Sequence, residues 1–316
     1  MILVDEAIWP AHGTVWAHLV SDTSLEELHE FARANGLPPK GFDLDHYDVP
    51  QARIAELVAA GAVQVSSREL LARLVASGLR VRGMHREAEG LRRRDADLWH
   101  RWGGLAAHVL PRTSPEVGRA WRHLGSDLLT RWAQPHRHYH DTAHLYDVLL
   151  SLDTLLQVGE RVDAPVLVAA WFHDAVYEGR PQQDEEDSAR LAETALLQVG
   201  ARDEVIGEAA RLVRVTIDHD VAGGAGEAAD HAGAVLVDAD LSILAAPAKR
   251  YDAYTQAVRR EYAHVPDEAF RQGRGDVLAR FLSRDRLFHT RAGRQRWEDA
   301  ARANINAELR RLRGLE

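Results

Sequence analysis

Histidines and aspartates in the middle of this chain have types and spacings suited to binding a metal ion or a phosphate group. Four histidines fall within residues 136–144, at the start of a leucine-rich segment. If that segment is a helix, His140 and His144 are four residues apart and project from one side of its first turns. Two imidazoles at this spacing can bind one ion or one phosphate.

Two other places put acids in apolar surroundings. His173 and Asp174 end the apolar segment 166–172, and Asp240 lies in the apolar segment 235–244 with Asp238 as its rival. Burying a carboxylate without a partner costs on the order of several kcal/mol, a penalty that a bound metal ion removes. The candidate metal ligands are therefore His144, His173, Asp174 and Asp240. A hydrogen-bond network in the core is the alternative role for the same groups.

The elements that must position these residues are predicted to be helices. From Asp95 to the end of the chain the apolar residues recur at helical spacing. Gly223, Gly224, Gly226 and Gly233 interrupt this pattern and predict a mobile loop that could act as a lid. We expect an all-α domain over residues 95–316.

The first part of the chain has a different pattern. Strand candidates at residues 2–4, 15–20 and 63–65 alternate with helices that begin near Ser24, Pro50 and Ser66. This alternation predicts a small α/β module over residues 1–90, so the fold class overall is α+β. Residues 84–94 are polar and basic, and we interpret them as the linker between the domains.

The N-terminal module contains scattered histidines and aspartates of its own. These residues could converge as a polar site, but His and Asp beside Pro and Gly usually serve turns, which is the role we expect. The residues concerned are His12, His18, Asp22, His46 and Asp48.

Composition excludes several classes of function. The formal charge of -9 and pI near 6.0 argue against broad binding of nucleic acid or acidic membranes. The chain has no cysteine, so a metal must be held by nitrogen and oxygen ligands, which suit Mn, Mg, Fe, Co, Ni or Zn. No signal peptide and no apolar run long enough to cross a bilayer is seen. The expected location is the cytoplasm, and the oligomeric state does not follow from the sequence.

Both parts of the chain resemble known families. The N-terminal module is similar to the DUF4031 family, a resemblance that brings no activity with it; it rests on residues 9–13, 18–22, 46–50 and 65–70. The helical part resembles the HD superfamily of metal-dependent phosphohydrolases, in which a His, a His-Asp pair and a distant Asp bind the metal. That resemblance rests on residues 135–144, 170–177, 185–189, 238–244, 259–262 and 301–304. Asp184 stands where that family is expected to have Asn.

One stretch also resembles cyclic nucleotide phosphodiesterases, which are HD proteins as well. Tyr139-His140-Asp141, followed by His144 and Asp147-Val148, matches their pattern except that Asp141 replaces Asn. In those enzymes the first histidine protonates the leaving oxygen and the second binds metal. The resemblance therefore implies that His140 is a general acid and His144 a metal ligand.

The implied reaction is hydrolysis of a phosphate ester, with a nucleotide or another small phosphorylated metabolite as substrate. A bound metal lowers the pKa of its water from about 16 toward about 7, so that hydroxide is available to attack phosphorus. Arg137 and Arg259 are candidates to hold the phosphate. Glu185 and His219 could bind a second ion or orient ligands.

Two alternatives use the same residues. One is an HD-type di-iron oxygenase, in which His219 would matter more. The other is a metal-stabilised regulatory module that binds nucleotide without turnover.

Overall fold

The computed structural model describes residues 1–11, 14–112, 114–221 and 230–314. It divides into two compact units, Met1–Ala96 and Asp97–Glu316. The first contains a small sheet and the second is helical, which confirms the predicted α+β class. The glycine-rich lid predicted from the sequence falls mainly on residues 222–229, outside the described residues; Gly233 lies within a helix.

The N-terminal unit is built on five strands. These are β1 (Ile2–Val4), β2 (Trp9–Ala11), β3 (Thr14–Ser21), β4 (Tyr47–Pro50) and β5 (Val63–Gln64). Strand β3 pairs antiparallel with β1, β2 and β4, and β1 pairs parallel with β5. The sequence pattern missed β2 and β4, both of which contain proline.

Three helices of this unit begin where the sequence predicts. They are α1 (Leu25–Ala34), α2 (Ile54–Ala59), which follows a 3₁₀ turn at Gln51–Arg53, and α3 (Ser67–Ala76). Ser24 and Ser66 cap α1 and α3 by accepting hydrogen bonds from the backbone N–H groups of Glu27 and Glu69. Further 3₁₀ turns lie at Pro39–Gly41 and Gly83–His85.

The predicted linker at residues 84–94 is mostly helical instead. Helix α4 spans Arg86–Val109. Within it the Glu89 carboxylate pairs with Arg92 and Arg93, three and four residues further on. The charged residues that predicted a linker therefore form ion pairs along one face of a helix.

Helices make up the regular structure of the second unit. After α4 come α5 (Pro115–Trp132), α6 (Thr142–Gln157), α7 (Ala164–Phe172), α8 (Gln183–Gln198), α9 (Asp203–Val215), α10 (His231–Asp240), α11 (Ala248–Glu261), α12 (Asp267–Ser283) and α13 (Arg291–Leu312). A 3₁₀ segment, Leu241–Ala245, follows α10 directly. Residues 235–244, whose β-branched start would also suit a strand, are therefore helical throughout.

Buried tryptophans set the position of α7, the helix that leads into the His-Asp pair. The rings of Trp102 and Trp121 are stacked with centroids 4.1 Å apart, and each indole N–H donates to the other residue's carbonyl. Trp171 packs edge-on against Trp102, and its carbonyl accepts a hydrogen bond from the Trp132 indole at 3.0 Å. Rigid aromatic packing thus fixes the backbone two residues before His173.

Among the described residues, no single helix is both long and apolar enough to cross a membrane. The segments His231–Ala245 and Ala248–Glu261, bent by 104°, satisfy the length and composition criteria only as a pair, as the core helices of globular proteins also can.

Candidate metal and phosphate site

Four side chains predicted as metal ligands come together in the helical unit. Nε2 of His144 lies 3.2 Å from Nε2 of His173 and 3.2 Å from Oδ1 of Asp240. Oδ2 of Asp174 lies 3.2 Å from Nε2 of His173 and 3.7 Å from Nε2 of His144. Two ligand atoms at tetrahedral or right-angle positions on one ion, each about 2.1 Å from it, are separated by about 3.0–3.4 Å. The spacing is therefore close to that of a mononuclear site.

Helix ends hold these ligands in place. His144 lies in the first turn of α6, where Asp141 caps the helix by accepting from the backbone N–H groups of Ala143 and His144. The replacement of Asn by Asp at this position keeps the capping function. His173 follows the last residue of α7, and Asp240 is the last residue of α10. Helices α6, α7 and α10 pack against one another, which brings the three ends together.

The donor set suits a cation. Nδ1 of His173 lies 2.9 Å from the carbonyl oxygen of Ala170, which can only accept, so Nδ1 carries the proton. In its neutral form, the form that binds a metal, His173 therefore turns the lone pair of Nε2 toward the carboxylates and toward His144. Burial alone would lower the pKa of His173, but the charges of Asp174 and Asp240 raise it to about 9. A divalent ion matches this concentration of negative charge and lone pairs, so the residues fit a bound metal.

The structure separates Asp240 from its rival. Asp238 accepts hydrogen bonds from the backbone N–H groups of His289 and Thr290 and from the Thr290 hydroxyl, just before α13. Its role is structural, and burial raises its pKa to about 6. Asp240 instead faces His144 with Oδ1, while Oδ2 lies 2.9 Å from Nε2 of His219.

His219 and Glu185 lie beside the four ligands. His219 has a φ of 48°, a strained conformation for a non-glycine residue, and Arg284 donates to its carbonyl oxygen. Burial raises the pKa of the Glu185 carboxyl, whose Oε2 is buried without a hydrogen-bond partner among the described residues. Both side chains contribute to the same pocket wall as Asp174 and Asp240. They are placed where they could orient a ligand or bind a second ion.

His140 is held by an acid that the sequence did not single out. Nδ1 of His140 lies 2.7 Å from Oε2 of Glu261, at the end of α11. Glu261 also accepts hydrogen bonds from the backbone N–H groups of residues 138, 139 and 140, and from the Tyr177 hydroxyl at 3.0 Å. The imidazole of His140 stacks on the Tyr177 ring. These contacts fix the ring and leave its other nitrogen for chemistry.

The pKa values of this pair move in opposite directions. Burial alone would lower the pKa of His140, but the hydrogen bond to Glu261 and the charges of Asp174, Glu261 and Asp240 raise it overall. Burial would raise the pKa of Glu261, but its bond to His140 lowers it to about 2. His140 is therefore suited to carry a proton at neutral pH.

The two arginines predicted to bind phosphate make other contacts. Arg137 is buried, and its guanidinium donates to the carbonyl oxygens of His140, Asp174 and Ala175. Arg259 donates to Asp267 and to the carbonyl oxygens of Tyr262 and Val265. Arg137 was chosen because it lies beside the histidine cluster in sequence. In the structure its N–H groups instead hold the backbone of Asp174 and Ala175, just after α7.

A pocket of roughly 780 Å³ opens next to the candidate ligands. Its wall includes His140, Asp174, Glu185, His219 and Asp240, with aromatic residues further out: Tyr139, Tyr177, Tyr254, Tyr262, Phe270 and Phe281. Pockets of this size accommodate small organic ligands, including nucleotides.

Four arginines line this pocket, and three of them already have partners. Arg180 pairs with Asp184 and Asp187, and Arg274 pairs with Glu308. Arg284 donates to the carbonyl oxygens of Asp218 and His219. Arg280 is exposed, and its guanidinium has no partner within the described ranges. No sequence pattern points to Arg280, because a single arginine on an exposed helix face usually serves solubility.

The polar residues of the N-terminal unit divide into two groups. Asp22 pairs with the N-terminal amine and with Arg73. His18, His46 and Asp48 lie close together, so they do not serve only turns as expected. His12 lies outside the described residues.

Comparison with known proteins finds one family. No curated protein and no solved structure matches the chain. Residues 2–77 match the family model described as "Protein of unknown function (DUF4031)", which supports the assignment of the N-terminal module to that family.

Proposed function

We propose that the helical unit is a metal-dependent phosphohydrolase of the HD superfamily, acting on a nucleotide or another small phosphorylated metabolite. The observation that carries this proposal is the convergence of two imidazoles and two carboxylates beside a pocket whose wall includes Asp174, Asp240 and His140, the last held by Glu261. Metal ligands and a proton donor within one pocket are the requirements of phosphoester hydrolysis.

His144, His173, Asp174 and Asp240 would hold the metal. When bound, a divalent ion supplies Lewis acidity toward a phosphoryl oxygen and a water of lowered pKa. The protein contributes the orientation of these four groups, through the Asp141 cap, the Ala170 carbonyl and the Arg137 contacts to the turn after α7.

His140 would donate a proton to the leaving oxygen. Glu261 holds Nδ1, so Nε2 is the donating nitrogen, and the raised pKa favours the protonated ring. Loss of the phosphoester bond places negative charge on the leaving oxygen, and proton transfer from an imidazolium removes it.

Arg280 would bind the substrate phosphate in place of the two arginines predicted from sequence. It lines the same pocket and has no acidic partner in the part of the chain that the structure describes. A guanidinium forms paired hydrogen bonds with phosphate oxygens, and the surrounding tyrosines and phenylalanines offer surfaces on which a nucleobase could stack.

A specific observation also favours a second candidate, the di-iron oxygenase. His219 and the Glu185 oxygen that has no partner among the described residues lie at the same wall as Asp174 and Asp240 and would extend the donor set toward a second ion. Iron in the isolated protein, a visible absorption band and oxygen consumption would support this candidate over hydrolysis.

A phosphoester panel with metal analysis tests the proposal. Metal-free protein is supplied in turn with Mn, Mg, Co, Ni, Fe and Zn, and phosphate or nucleoside release is measured on nucleotides and small phosphomonoesters. We expect metal-dependent release with at least one substrate. Tight nucleotide binding without release under every metal would contradict hydrolysis and favour the regulatory module.

A further inference from the structure

A second group of possible metal ligands lies in the N-terminal unit. His18 on β3 and Asp48 on β4 are directly opposite in the antiparallel pairing, and His46 lies two residues before Asp48. One ligand atom from each of the three residues lies within 4.8 Å of the others. Nε2 of His46 is 3.3 Å from Oδ1 of Asp48, and the two imidazole rings are 4.9 Å apart.

The strand register puts these side chains on one face of the sheet. Their neighbours Ala17, Leu19, Tyr47 and Val49 are buried in the apolar core. Because side chains along a strand alternate between the two faces of the sheet, His18, His46 and Asp48 lie on the face opposite to the core. The group is therefore fixed by the same pairing that builds the core, and three polar residues are presented together on a rigid support.

A buried carboxylate holds the Nδ1 atom of each histidine. Nδ1 of His18 lies 3.1 Å from Oδ2 of Asp5, whose Oδ1 accepts from the His18 backbone N–H. Nδ1 of His46 lies 2.7 Å from Oδ1 of Asp45, whose Oδ2 accepts from the Val81 backbone N–H and from Arg80. Both aspartates are 0–1 % exposed and their oxygens are already used as acceptors.

This arrangement selects the nitrogen that faces the group. An ionised carboxylate only accepts, so each Nδ1 carries a hydrogen and each neutral ring presents the lone pair of Nε2. Histidines that bind metals are commonly oriented by a carboxylate on the other nitrogen. Here two histidines, each oriented by its own carboxylate, face the same aspartate, Asp48. A role in turn formation does not account for this arrangement.

An ion pair alone explains only part of the group. A protonated His46 between Asp45 and Asp48 would satisfy those three side chains. His18 would have no function in such a pair, because Nε2 of His18 has no hydrogen-bond partner among the residues described. A cation bound by His18, His46 and Asp48 uses all three groups.

We propose that the N-terminal module binds a divalent transition-metal ion through His18, His46 and Asp48. Two imidazoles and one carboxylate favour Zn, Co, Ni, Fe or Mn over Mg and Ca. The side chains of the three ligands are 30 %, 12 % and 49 % exposed, so the ion keeps positions open to water or to an external ligand. Three protein ligands with open positions are typical of catalytic rather than structural metal sites.

Metal stoichiometry of the whole 316-residue chain tests this site. The chain is stripped of metal, titrated with Co²⁺ or Zn²⁺, and analysed by calorimetry and elemental analysis. All variants are made in both the wild-type and the His173→Ala background, so that loss of the helical site is read separately. The N-terminal site is then tested whether or not the helical unit binds metal.

We expect His46→Ala and His18→Ala to lose one bound ion per chain in both backgrounds. Asp48→Asn, at an exposed position that the fold does not need, should weaken binding by more than 10-fold. Asp5→Asn replaces one of the two carboxylate oxygens that hold His18 with an NH2 group, and should weaken metal binding by about 10- to 100-fold. His85→Ala, an exposed histidine of the same unit, is the matched control and should change nothing.

One result would overturn the proposal. If His18→Ala, His46→Ala and Asp48→Asn all bind as many ions as His85→Ala, with affinities unchanged within a factor of two, the group is a hydrogen-bonded polar cluster and not a metal site. Circular dichroism of each metal-free variant shows whether it is folded. If a histidine variant is unfolded, the metal affinity of the exposed Asp48→Asn variant decides whether the group binds metal.

Discussion

Nδ1 of His140 lies 2.7 Å from the carboxylate of Glu261, a residue 121 positions away in the chain. The same carboxylate accepts hydrogen bonds from three consecutive backbone N–H groups, those of residues 138–140. Glu261 therefore fixes both the backbone and the ring of the proposed general acid. Both the position of the His140 ring and its pKa therefore depend on the Glu261 side chain.

Replacing Glu261 should change the pH dependence of catalysis. Glu261→Gln keeps an acceptor for the backbone but removes the charge that raises the pKa of His140. Because protonated His140 is the active form, the alkaline limb of the kcat profile should move to lower pH, and kcat at pH 8 should fall roughly 10-fold or more. Glu204→Gln, at an exposed position on α9, is the control. A profile that keeps its alkaline limb in Glu261→Gln would contradict the assignment.

The same pair predicts a pH dependence of stability. The pKa of Glu261 is lowered from 4.5 to about 2, so its contribution is present above pH 4.5 and is lost as pH falls toward 2. The pKa of His140 is raised, so its contribution is present below 6.5 and is lost as pH rises through the higher value. Urea denaturation should show the largest stability difference between wild type and Glu261→Gln near pH 5.5. At 1.36 kcal/mol per pKa unit the Glu261 shift corresponds to roughly 3 kcal/mol. A difference that stays constant from pH 3 to 9 would rule out this coupling.

Arg280 should contribute to the affinity for the phosphate group of the substrate. Removing a guanidinium that binds phosphate costs a charge-assisted hydrogen bond, so Arg280→Ala should lower kcat/KM by roughly 10- to 100-fold, mainly through KM. Arg259→Ala, which loses contacts to Asp267 and to backbone carbonyls, should affect the melting temperature more than KM. The opposite ranking of the two variants in KM would return the phosphate role to Arg259.

Close packing around the tryptophans gives a prediction about stability. A Cβ added at Gly125 would lie 2.4 Å from the Trp102 ring, whereas at Gly103 on α4 nothing lies within 4 Å. Gly125→Ala should destabilise the protein by about 1–3 kcal/mol because the stacked rings must shift. Gly103→Ala should stabilise it by about 0.5–1 kcal/mol, since alanine favours a helix. Urea denaturation compares the two, and equal stabilities would show that the ring stack tolerates a methyl group.

The candidate metal ligands could be picked out from sequence because their apolar surroundings are local in the chain. His173 and Asp174 end an apolar helix, and Asp240 is enclosed by aliphatic residues, so burial followed from the neighbours alone. Asp240 was preferred to Asp238 from sequence, but only the structure shows the separate role of Asp238. Two residues apart on a helix, they face in different directions, and only the position of the segment before α13 shows that Asp238 holds Thr290, the N-cap of that helix.

Contacts between distant parts of the chain could not be predicted. Glu261 is one acid near the end of a charged helix, without a periodic signal that links it to His140. The pairing of His18 with Asp48 depends on the register between β3 and β4, and β4 was itself missed because it contains proline. Arg137 was assigned by its neighbours in sequence, while the direction of its guanidinium is set by carbonyl oxygens after α7.

The most direct test of the proposed hydrolase compares metal content with the rate of phosphate release in His140→Ala, with His173→Ala and the exposed His138→Ala alongside. If His140 donates the proton and the four other residues bind the metal, His140→Ala keeps wild-type metal content and loses roughly 10²–10⁴-fold in rate. His173→Ala should lose metal and rate together, and His138→Ala should lose neither. A His140→Ala protein with full metal and full rate would contradict the account.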